Sequence, residues 1–365
     1  MSRAPGARLP DFPWDTLAEA GAKARAHPDG IVDLSVGTPV DPVPAVIQEA
    51  LTGAAWIPGY PTTHGTPALR QAAADALARR YGVLVDPVAV LPTIGSKELV
   101  AWLPTLLGVG AGDLVVIPSL AYPTYEVGAR LAGADILRAD STVAAGPAAP
   151  KLVWLNSPSN PTGRVLPPEH LRKVVDWARE RGSVVVSDEC YLALDWETAP
   201  VSVLHDSVSG GSHDGLLAVH SLSKSSNLAG YRAGYVTGDP ALVARLLAVR
   251  KHAGMIVPHP VQAAITAALG DDEHVAEQKA RYAARRAVLK PALESAGFTV
   301  DHSEAGLYLW STRGEDAWTT VDWLAERGIL AAPGTFYGPT GDRHVRVALT
   351  ATDERVEAAA KRLIP

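Results

Sequence analysis

The stretch HSLSKSSNLAGYRAGY, residues 220–235, places one lysine, Lys224, among small polar residues, with Arg232 eight positions later. The overlapping segment GLLAVHS (215–221) is an apolar run that predicts a buried strand, so Lys224 follows the end of that strand. Most lysines lie on solvated surfaces, whereas a lysine held in a dry, crowded site is a good nucleophile towards an aldehyde. The stretch therefore indicates a reactive lysine.

Other apolar runs also end in polar residues, and amphipathic stretches separate them. The strand-like runs are GDLVVIP (112–118), KLVWLNSP (151–158) and SVVVSDE (183–189). The stretches 122–133 and 167–182 have the apolar spacing of helices, and the second begins with two prolines and ends at Gly182. Strand–helix alternation of this kind favours an α/β fold with a mostly parallel sheet covered by helices on both faces.

The pattern changes after about residue 245. A long helical region, 275–297, precedes short strand-like segments near FTVDH, GLYLWS and HVRVALT, with a helix around WTTVDWLAERG. This predicts a smaller α+β domain. We expect an N-terminal segment, 1–40, that joins the small domain, a large domain, 41–245, and a small C-terminal domain, 246–365.

The composition limits the class of protein. Hydrophobic residues make up 47% and charged residues 20%, which is typical of a globular chain, and a net charge of −6 argues against a nucleic-acid partner. The only cysteine, Cys190, excludes an internal disulfide and fits a reducing compartment as a small buried hydrophobe. No apolar run has membrane-spanning length, and no secretory signal begins the sequence. We expect a cytoplasmic protein without a membrane partner.

The polar residues at the strand ends suit one cofactor. The carboxyl ends of parallel strands meet at one edge of a sheet, so Asn160, Asp188, Tyr191 and Lys224 are expected to lie together. Asp188 can pair with a protonated ring nitrogen, and Asn160 and Tyr191 can donate to a phenolate oxygen. A phosphate can be held by the polar residues near the lysine, which are Ser221, Ser223 and Arg232. Pyridoxal 5′-phosphate has all these groups.

Three motifs occur in the order of a known family: SNPTG (159–163), DECY (188–191) and SLSKSSNLAGYRAG (221–234). From VGTPVDP (36–42) to RVAL (346–349), the chain resembles the class I/II, aspartate-aminotransferase-like enzymes of fold-type I. The resemblance implies a pyridoxal-phosphate-dependent aminotransferase. It also implies that Lys224 is the Schiff-base lysine and that Asp188 pairs with the pyridinium nitrogen. Tyr191 and Asn160 are implied to be the partners of the phenolate oxygen.

Further roles follow from the same resemblance. Implied cofactor contacts are Gly95, Ser96 and Lys97 at the phosphate, Tyr122 stacked on the ring, and Tyr60 reaching the phosphate of a neighbouring subunit. A homodimer with shared sites is therefore expected. Arg346 is implied to grip the substrate α-carboxylate, with the Gly37 backbone beside it. The histidines lack metal-ligand spacing, so no metal site is expected.

A narrower resemblance concerns the substrate. The segments LPDFPWDTL (9–17), GYPTTHGTPALR (59–70) and IGSKELVAWLPTLLGVG (94–110) are similar to actinobacterial N-succinyldiaminopimelate aminotransferases of lysine and diaminopimelate biosynthesis. That activity converts N-succinyl-2-amino-6-ketopimelate and glutamate to N-succinyl-LL-2,6-diaminopimelate and 2-oxoglutarate. Its distal carboxylate needs a cationic or hydrogen-bonding contact. The candidates that flank matched motifs are Lys97, His64, Lys251 and His259.

Alternatives remain open at this point. The same motifs suit an aspartate, alanine or aromatic amino-acid aminotransferase, or, less well, a C–S lyase or decarboxylase. Transcription regulators reuse this fold behind a DNA-binding winged helix, which is not expected before residue 36. Arg346 also has a structural interpretation as a paired strand arginine. The glycine-rich GVGAGD (108–113) precedes a predicted strand and lacks GxGxxG spacing, so a turn is expected there rather than a dinucleotide loop.

Overall fold

The structure, a computed structural model, describes residues 9–364, so residues 1–8 of the predicted N-terminal segment lie outside the described residues. The strands are β1 (Val32–Asp33), β2 (Val90–Ile94), β3 (Leu114–Ile117), β4 (Asp135–Arg138), β5 (Leu152–Asn156), β6 (Val184–Asp188), β7 (Leu216–Ser221), β8 (Ala233–Gly238), β9 (Thr299–Asp301), β10 (Tyr308–Thr312), β11 (Ile329–Leu330), β12 (Ala332–Pro333) and β13 (Val345–Ala348).

The helices follow most of these strands. They are α1 (Ala18–Arg25), α2 (Ala45–Gly53), α3 (Pro67–Tyr81), α4 (Gly95–Leu106), α5 (Thr124–Ala132), α6 (Thr142–Ala145), α7 (Pro168–Arg179), α8 (Asp206–Ser209), α9 (Pro240–Ala253), α10 (His259–Gly270), α11 (Glu273–Ser295), α12 (Ala317–Glu326) and α13 (Asp353–Leu363). Between residues 9 and 364, none of the helices combines the length and the apolar character needed to cross a membrane.

A seven-stranded sheet forms the centre of the larger part of the fold, in the order β2-β8-β7-β6-β5-β3-β4. Strands β3 to β7 are parallel to one another, whereas β8 is antiparallel to both β7 and β2. Helices α3, α7 and α10 bury apolar side chains on one face, and α4, α5 and α9 do so on the other. The predicted α/β fold with a mostly parallel, helix-covered sheet is confirmed.

Helix α7 illustrates why the sequence folds in this way. Pro168 occupies its first turn, where a missing N–H costs nothing. Leu171, Val174, Val175 and Ala178 form one apolar stripe, and all four are buried against the sheet. Burying a side chain of this size contributes about 1.5–3 kcal/mol, so the stripe holds the helix in place and aligns the ends of β5 and β6.

The C-terminal third forms a second sheet in the order β12-β13-β10-β9, with every neighbour antiparallel. Helices α1, α11, α12 and α13 pack with it in a separate apolar core. Strand β1 pairs in parallel with β11, which attaches the described part of the N-terminal segment to this region.

The division into domains stays a prediction. The packing of helix α9 does not fit a boundary at 245/246. The boundary falls inside α9, and Leu242 and Leu246 of that helix lie together in the core beneath the large sheet. Ala264 and Ile265 of α10 belong to the core on the opposite face. This packing favours a boundary near α11, about one helix pair later than the sequence indicates.

Helices α4 and α9 are joined by a buried ion pair. The guanidinium of Arg250, fully buried, donates to both oxygens of Glu98 at 2.9 and 3.1 Å. Removing either member of a buried ion pair is strongly destabilising, because the other member is left as an unpaired buried charge. This pair therefore links two helices that cover the same face of the large sheet.

Replacing Arg250 by alanine should lower the free energy of unfolding by about 3 kcal/mol, because Glu98 loses its buried partner. The double variant Arg250→Met, Glu98→Leu should recover most of this loss. Urea unfolding at one protein concentration measures both effects. Lys23→Ala, which removes two ion pairs between exposed side chains, is the control and should change stability little. An Arg250→Ala loss no larger than that of the control would contradict the prediction.

Candidate active site

A cavity of about 860 Å³ lies at the carboxyl ends of β6 and β7 and extends to β10 and β13. It brings together most of the residues singled out in the sequence: Gly37, Ser96, Lys97, Tyr122, Asn160, Asp188, Tyr191, Ser221, Ser223, Lys224, Arg232 and Arg346. A second cavity, of about 410 Å³, contains none of these residues. The larger cavity is therefore the candidate active site.

Asp188, the last residue of β6, forms the floor of the cavity. Its carboxylate accepts hydrogen bonds from the Tyr125 hydroxyl at 2.8 Å and from the Cys190 N–H at 3.2 Å. Burial raises the pKa of Asp188, although the hydrogen bonds from Cys190 and Tyr125 oppose this effect. A cation placed against this carboxylate would favour its charged form, which suits the N–H of a pyridinium ring.

Asn156 connects the polar ends of two neighbouring strands. It lies opposite Asp188 in the register of β5 and β6, and its side-chain amide donates to the Asp188 carbonyl at 2.9 Å. Its side-chain oxygen accepts from the N–H of Asn160 at 2.7 Å. One buried amide thereby fixes Asn160 relative to Asp188.

Lys224 enters the same cavity after β7. Its ammonium donates to the carbonyl of Gly37, and its side chain is half-buried. Burial lowers the pKa of Lys224, and the nearby positive charges of Arg346 and Arg232 lower it further. Its neutral amine, the nucleophilic and basic form, is therefore available at a lower pH than in a solvated lysine.

An anion cradle lies beside the lysine. Gly95 begins α4 with φ = 71°, and a Cβ at this position would meet the guanidinium of Arg232. The next residues, Ser96 and Lys97, supply the first turn of α4, where free backbone N–H groups favour an anion. Across the cradle, the Ser221 hydroxyl accepts from the backbone of Ser223 at 3.2 Å. Hydroxyls, a helix N-terminus and an arginine together fit a phosphate.

Arg346, on β13, is only 3% exposed. Its guanidinium donates to the Asn160 side-chain oxygen at 3.0 Å and to the Ser35 carbonyl at 2.7 Å. The Arg346 Nε has no hydrogen-bond partner among the described residues, and no carboxylate there forms an ion pair with this side chain. A buried cation in this condition fits a carboxylate brought by a ligand.

The mouth of the cavity is mostly apolar. Its wall includes the segment 9–14, in which Phe12 is 52% exposed, together with Val36, Ala101 and Val127. The Lys97 ammonium lies 5.5 Å from the centre of the Phe12 ring. Lys97 is the one candidate for reading a distal carboxylate that lines the cavity, which His64, Lys251 and His259 do not.

Two other predicted residues do not line this cavity. Gly95 lies next to the guanidinium of Arg232, and Tyr60 is 98% exposed. Cys190 is half-buried at the cavity wall, where burial raises the pKa of its thiol well above the ordinary range. The segment 108–113 connects α4 to β3 as a turn, as expected.

Sequence reasoning missed two tyrosines of the site. Tyr125 holds Asp188, and Tyr308 of β10 lies with its hydroxyl 3.2 Å from that of Tyr191. Both tyrosines occur in runs that are typical of buried core. The apolar alternation of GLYLWS carries no signal that one hydroxyl faces a cavity.

Comparison with known proteins agrees with this geometry. The family model Aminotransferase class I and II matches residues 29–363. A probable aminotransferase of Mycobacterium tuberculosis is 69% identical over 98% of this chain and 86% of its own length. The 4-dedimethylamino-4-oxo-anhydrotetracycline transaminase OxyQ of Streptomyces rimosus is 62% identical, over 97% of this chain and 99% of its own length.

A solved structure shows the same likeness. The probable N-succinyldiaminopimelate aminotransferase of Thermus thermophilus superposes with a TM-score of 0.88 at 31% identity, covering 96% of this chain and 99% of that one. The chain belongs to the class I and II aminotransferases. It is accordingly a pyridoxal-phosphate-dependent transaminase that acts on amino and keto acids.

Proposed function

We propose that the chain transfers an amino group between an α-amino acid and a 2-keto acid at the cavity described above, with Lys224 as the proton carrier. The supporting observation is that one cavity holds both Lys224, an amine with a lowered pKa, and Arg346, a buried guanidinium without a carboxylate partner. When bound, pyridoxal 5′-phosphate supplies an aldehyde and an electron-withdrawing ring.

The chain's own residues divide the remaining work. Asp188 would keep the ring nitrogen protonated, and Asn160 and Tyr191 would donate hydrogen bonds to the phenolate oxygen. The anion cradle, which comprises Gly95, Ser96, Lys97, Ser221, Ser223 and Arg232, would hold the phosphate. Tyr122, buried enough that its pKa rises to about 12, packs as a neutral ring at the cavity wall.

Two residues act on the substrate. Arg346 binds the α-carboxylate with its guanidinium, while the backbone of Gly37 leaves room beside it. This contact would orient the Cα–H bond towards the Lys224 amine, which would remove the Cα proton and deliver it to the cofactor carbon that carries the nitrogen. Arg346 is held in place before substrate arrives, since it is hydrogen-bonded on two sides.

Replacing Lys224 by alanine should remove the visible absorption of the cofactor-loaded protein and reduce turnover by at least about 10³-fold, because both the nucleophile and the proton carrier are lost. Absorbance spectra and single-turnover assays with glutamate measure the two effects. The control is Lys173→Ala, which removes an exposed lysine of α7 and should behave like the unaltered protein. Transamination retained in the Lys224 variant would contradict the assignment.

For the substrate, we propose an N-succinyldiaminopimelate aminotransferase with glutamate as amino donor. The Thermus thermophilus structure named above supports this choice. Such a substrate carries a carboxylate far from the reacting carbon, and Lys97 is the cation at the cavity mouth that is placed to meet it. Burial and the neighbouring Arg232 lower the pKa of Lys97, and an incoming carboxylate would offset both effects.

The apolar mouth favours a second candidate, an aromatic amino-acid aminotransferase. Phe12, Val36 and Val127 offer an apolar surface that fits a ring better than a succinyl chain. The OxyQ relative, 62% identical, is named for an anhydrotetracycline substrate, which contains aromatic rings.

The variants Lys97→Met and Phe12→Ala should separate the two candidates. For an N-succinyl substrate, Lys97→Met should lower kcat/KM roughly tenfold or more relative to its effect on glutamate, since a charged hydrogen bond is lost. For an aromatic substrate, Phe12→Ala should produce the larger loss. Kinetics with N-succinyl-LL-2,6-diaminopimelate, phenylalanine and glutamate give the ratios. If Lys97→Met lowers kcat/KM equally for all three, Lys97 serves only the phosphate.

We further propose a homodimer in which Tyr60 reaches the neighbouring subunit's phosphate site. Tyr60 is almost fully exposed in the single chain, and Trp56 nearby is 78% exposed. Two large aromatic side chains this close in sequence are unusual on a monomer surface and are typical of an interface.

Co-expressing the variants Tyr60→Ala and Lys224→Ala should generate hybrid dimers with one native site each. At limiting cofactor, hybrid dimers isolated through two tags should then have about half of the wild-type activity, more than the mean of the two parents. Steady-state assays after co-purification through two tags measure this gain. Pairing Lys224→Ala with the double variant is the control and restores no native site. Equality with the parental mean would exclude shared sites.

A further inference from the structure

Tyr308 is not among the proposed cofactor ligands or the proposed substrate-binding residues, but it contacts one residue of each group. It lies on β10, opposite β13, and its ring centre is 3.9 Å from the guanidinium carbon of Arg346. Its hydroxyl lies 3.2 Å from the hydroxyl of Tyr191. The ring thus contacts the proposed carboxylate-binding residue, and the hydroxyl contacts a proposed cofactor ligand.

The position of this hydroxyl is closely constrained. Tyr308 is 4% exposed and Tyr191 is 7% exposed, so water does not compete freely for either oxygen. A Cβ on Gly37 would collide with the Tyr308 hydroxyl, which means that the backbone of residue 37 forms a wall against it. The hydroxyl is therefore held next to Tyr191.

The proposed role of Tyr191 sets the direction of this hydrogen bond. In the structure, either of the two hydroxyls can be the donor. A hydroxyl has one hydrogen to donate, and the Tyr191 hydroxyl would direct its hydrogen to the cofactor oxygen. With the cofactor bound, Tyr308 would therefore donate and Tyr191 would accept.

We propose that Tyr308 is a positioning residue whose hydroxyl orients the Tyr191 hydroxyl towards the cofactor oxygen while its ring supports Arg346. The inference rests on the proposed roles of Tyr191 and Arg346. A hydroxyl that accepts one hydrogen bond becomes a stronger donor in the next, so Tyr308 strengthens the contact that Tyr191 makes. The ring adds a cation–π contact to a guanidinium that is already buried.

Replacing Tyr308 by phenylalanine removes the hydroxyl and keeps the ring. In the cofactor-loaded protein, the pH midpoint of the visible absorption should rise, in the same direction as for Tyr191→Phe and by a smaller amount. The reason is that a weaker hydrogen bond stabilises the negatively charged phenolate less. Affinity for maleate, an unreactive dicarboxylate that probes Arg346, should stay within about twofold, since the ring contact remains.

Replacing Tyr308 by leucine removes the ring as well. This variant should bind maleate roughly three- to tenfold more weakly, in addition to showing the raised midpoint. Tyr337→Phe is the matched control for the titration. The Tyr337 ring also lies over Arg346, at 5.0 Å, but its hydroxyl has no hydrogen-bond partner among the described residues. The pH midpoint of the visible absorption should not change in the Tyr337→Phe variant.

The outcomes separate the inference from the proposed function. If Tyr191→Phe leaves the midpoint unchanged, the role proposed for Tyr191 is wrong. If Tyr191→Phe raises the midpoint and Tyr308→Phe does not, or lowers it, only the positioning role of Tyr308 is overturned. An equal shift in Tyr337→Phe would show a general effect of removing a buried hydroxyl and would also overturn it.

Discussion

The hydrogen bond between Arg346 and Asn160 joins the two sheets of the molecule. Arg346 belongs to β13 of the antiparallel sheet, whereas Asn160 follows β5 of the large sheet and is held by Asn156. A buried guanidinium is costly unless it is well paired, so this contact requires the two sheets to meet in one arrangement. The cavity lies at that junction, and its geometry depends on both sheets being in place.

Strand ends explain why much of the site could be predicted from the sequence. Asp188 and Lys224 follow apolar runs that read clearly as strands, and parallel strands bring their carboxyl ends together regardless of the details of packing. The family motifs then identified Arg346, which is distant in sequence and has no local signal of its role. Their placement around one cavity agrees with that expectation, while their chemical roles stay predictions.

The remainder depended on contacts between distant segments. Tyr308 and Tyr125 stand among apolar residues in the sequence. Tyr308 matters because its hydroxyl contacts that of Tyr191, and Tyr125 matters because its hydroxyl donates to the Asp188 carboxylate. The helix α9 was divided by the predicted boundary because an apolar stripe does not show which of two cores it enters. The apolar mouth likewise includes residues 9–14, whose position depends on the complete fold.

The pairing of β1 with β11 has a consequence for synthesis on the ribosome. Val32 and Asp33 find their strand partners at Ile329 and Leu330, so β1 is made early and has no strand partner until nearly the whole chain has emerged. The parallel strands of the large sheet lie between them and can assemble first, because domains usually fold as units during translation. The emerging chain therefore carries β1 without its strand partner through most of translation, and β1 can pair only after β11 has been made.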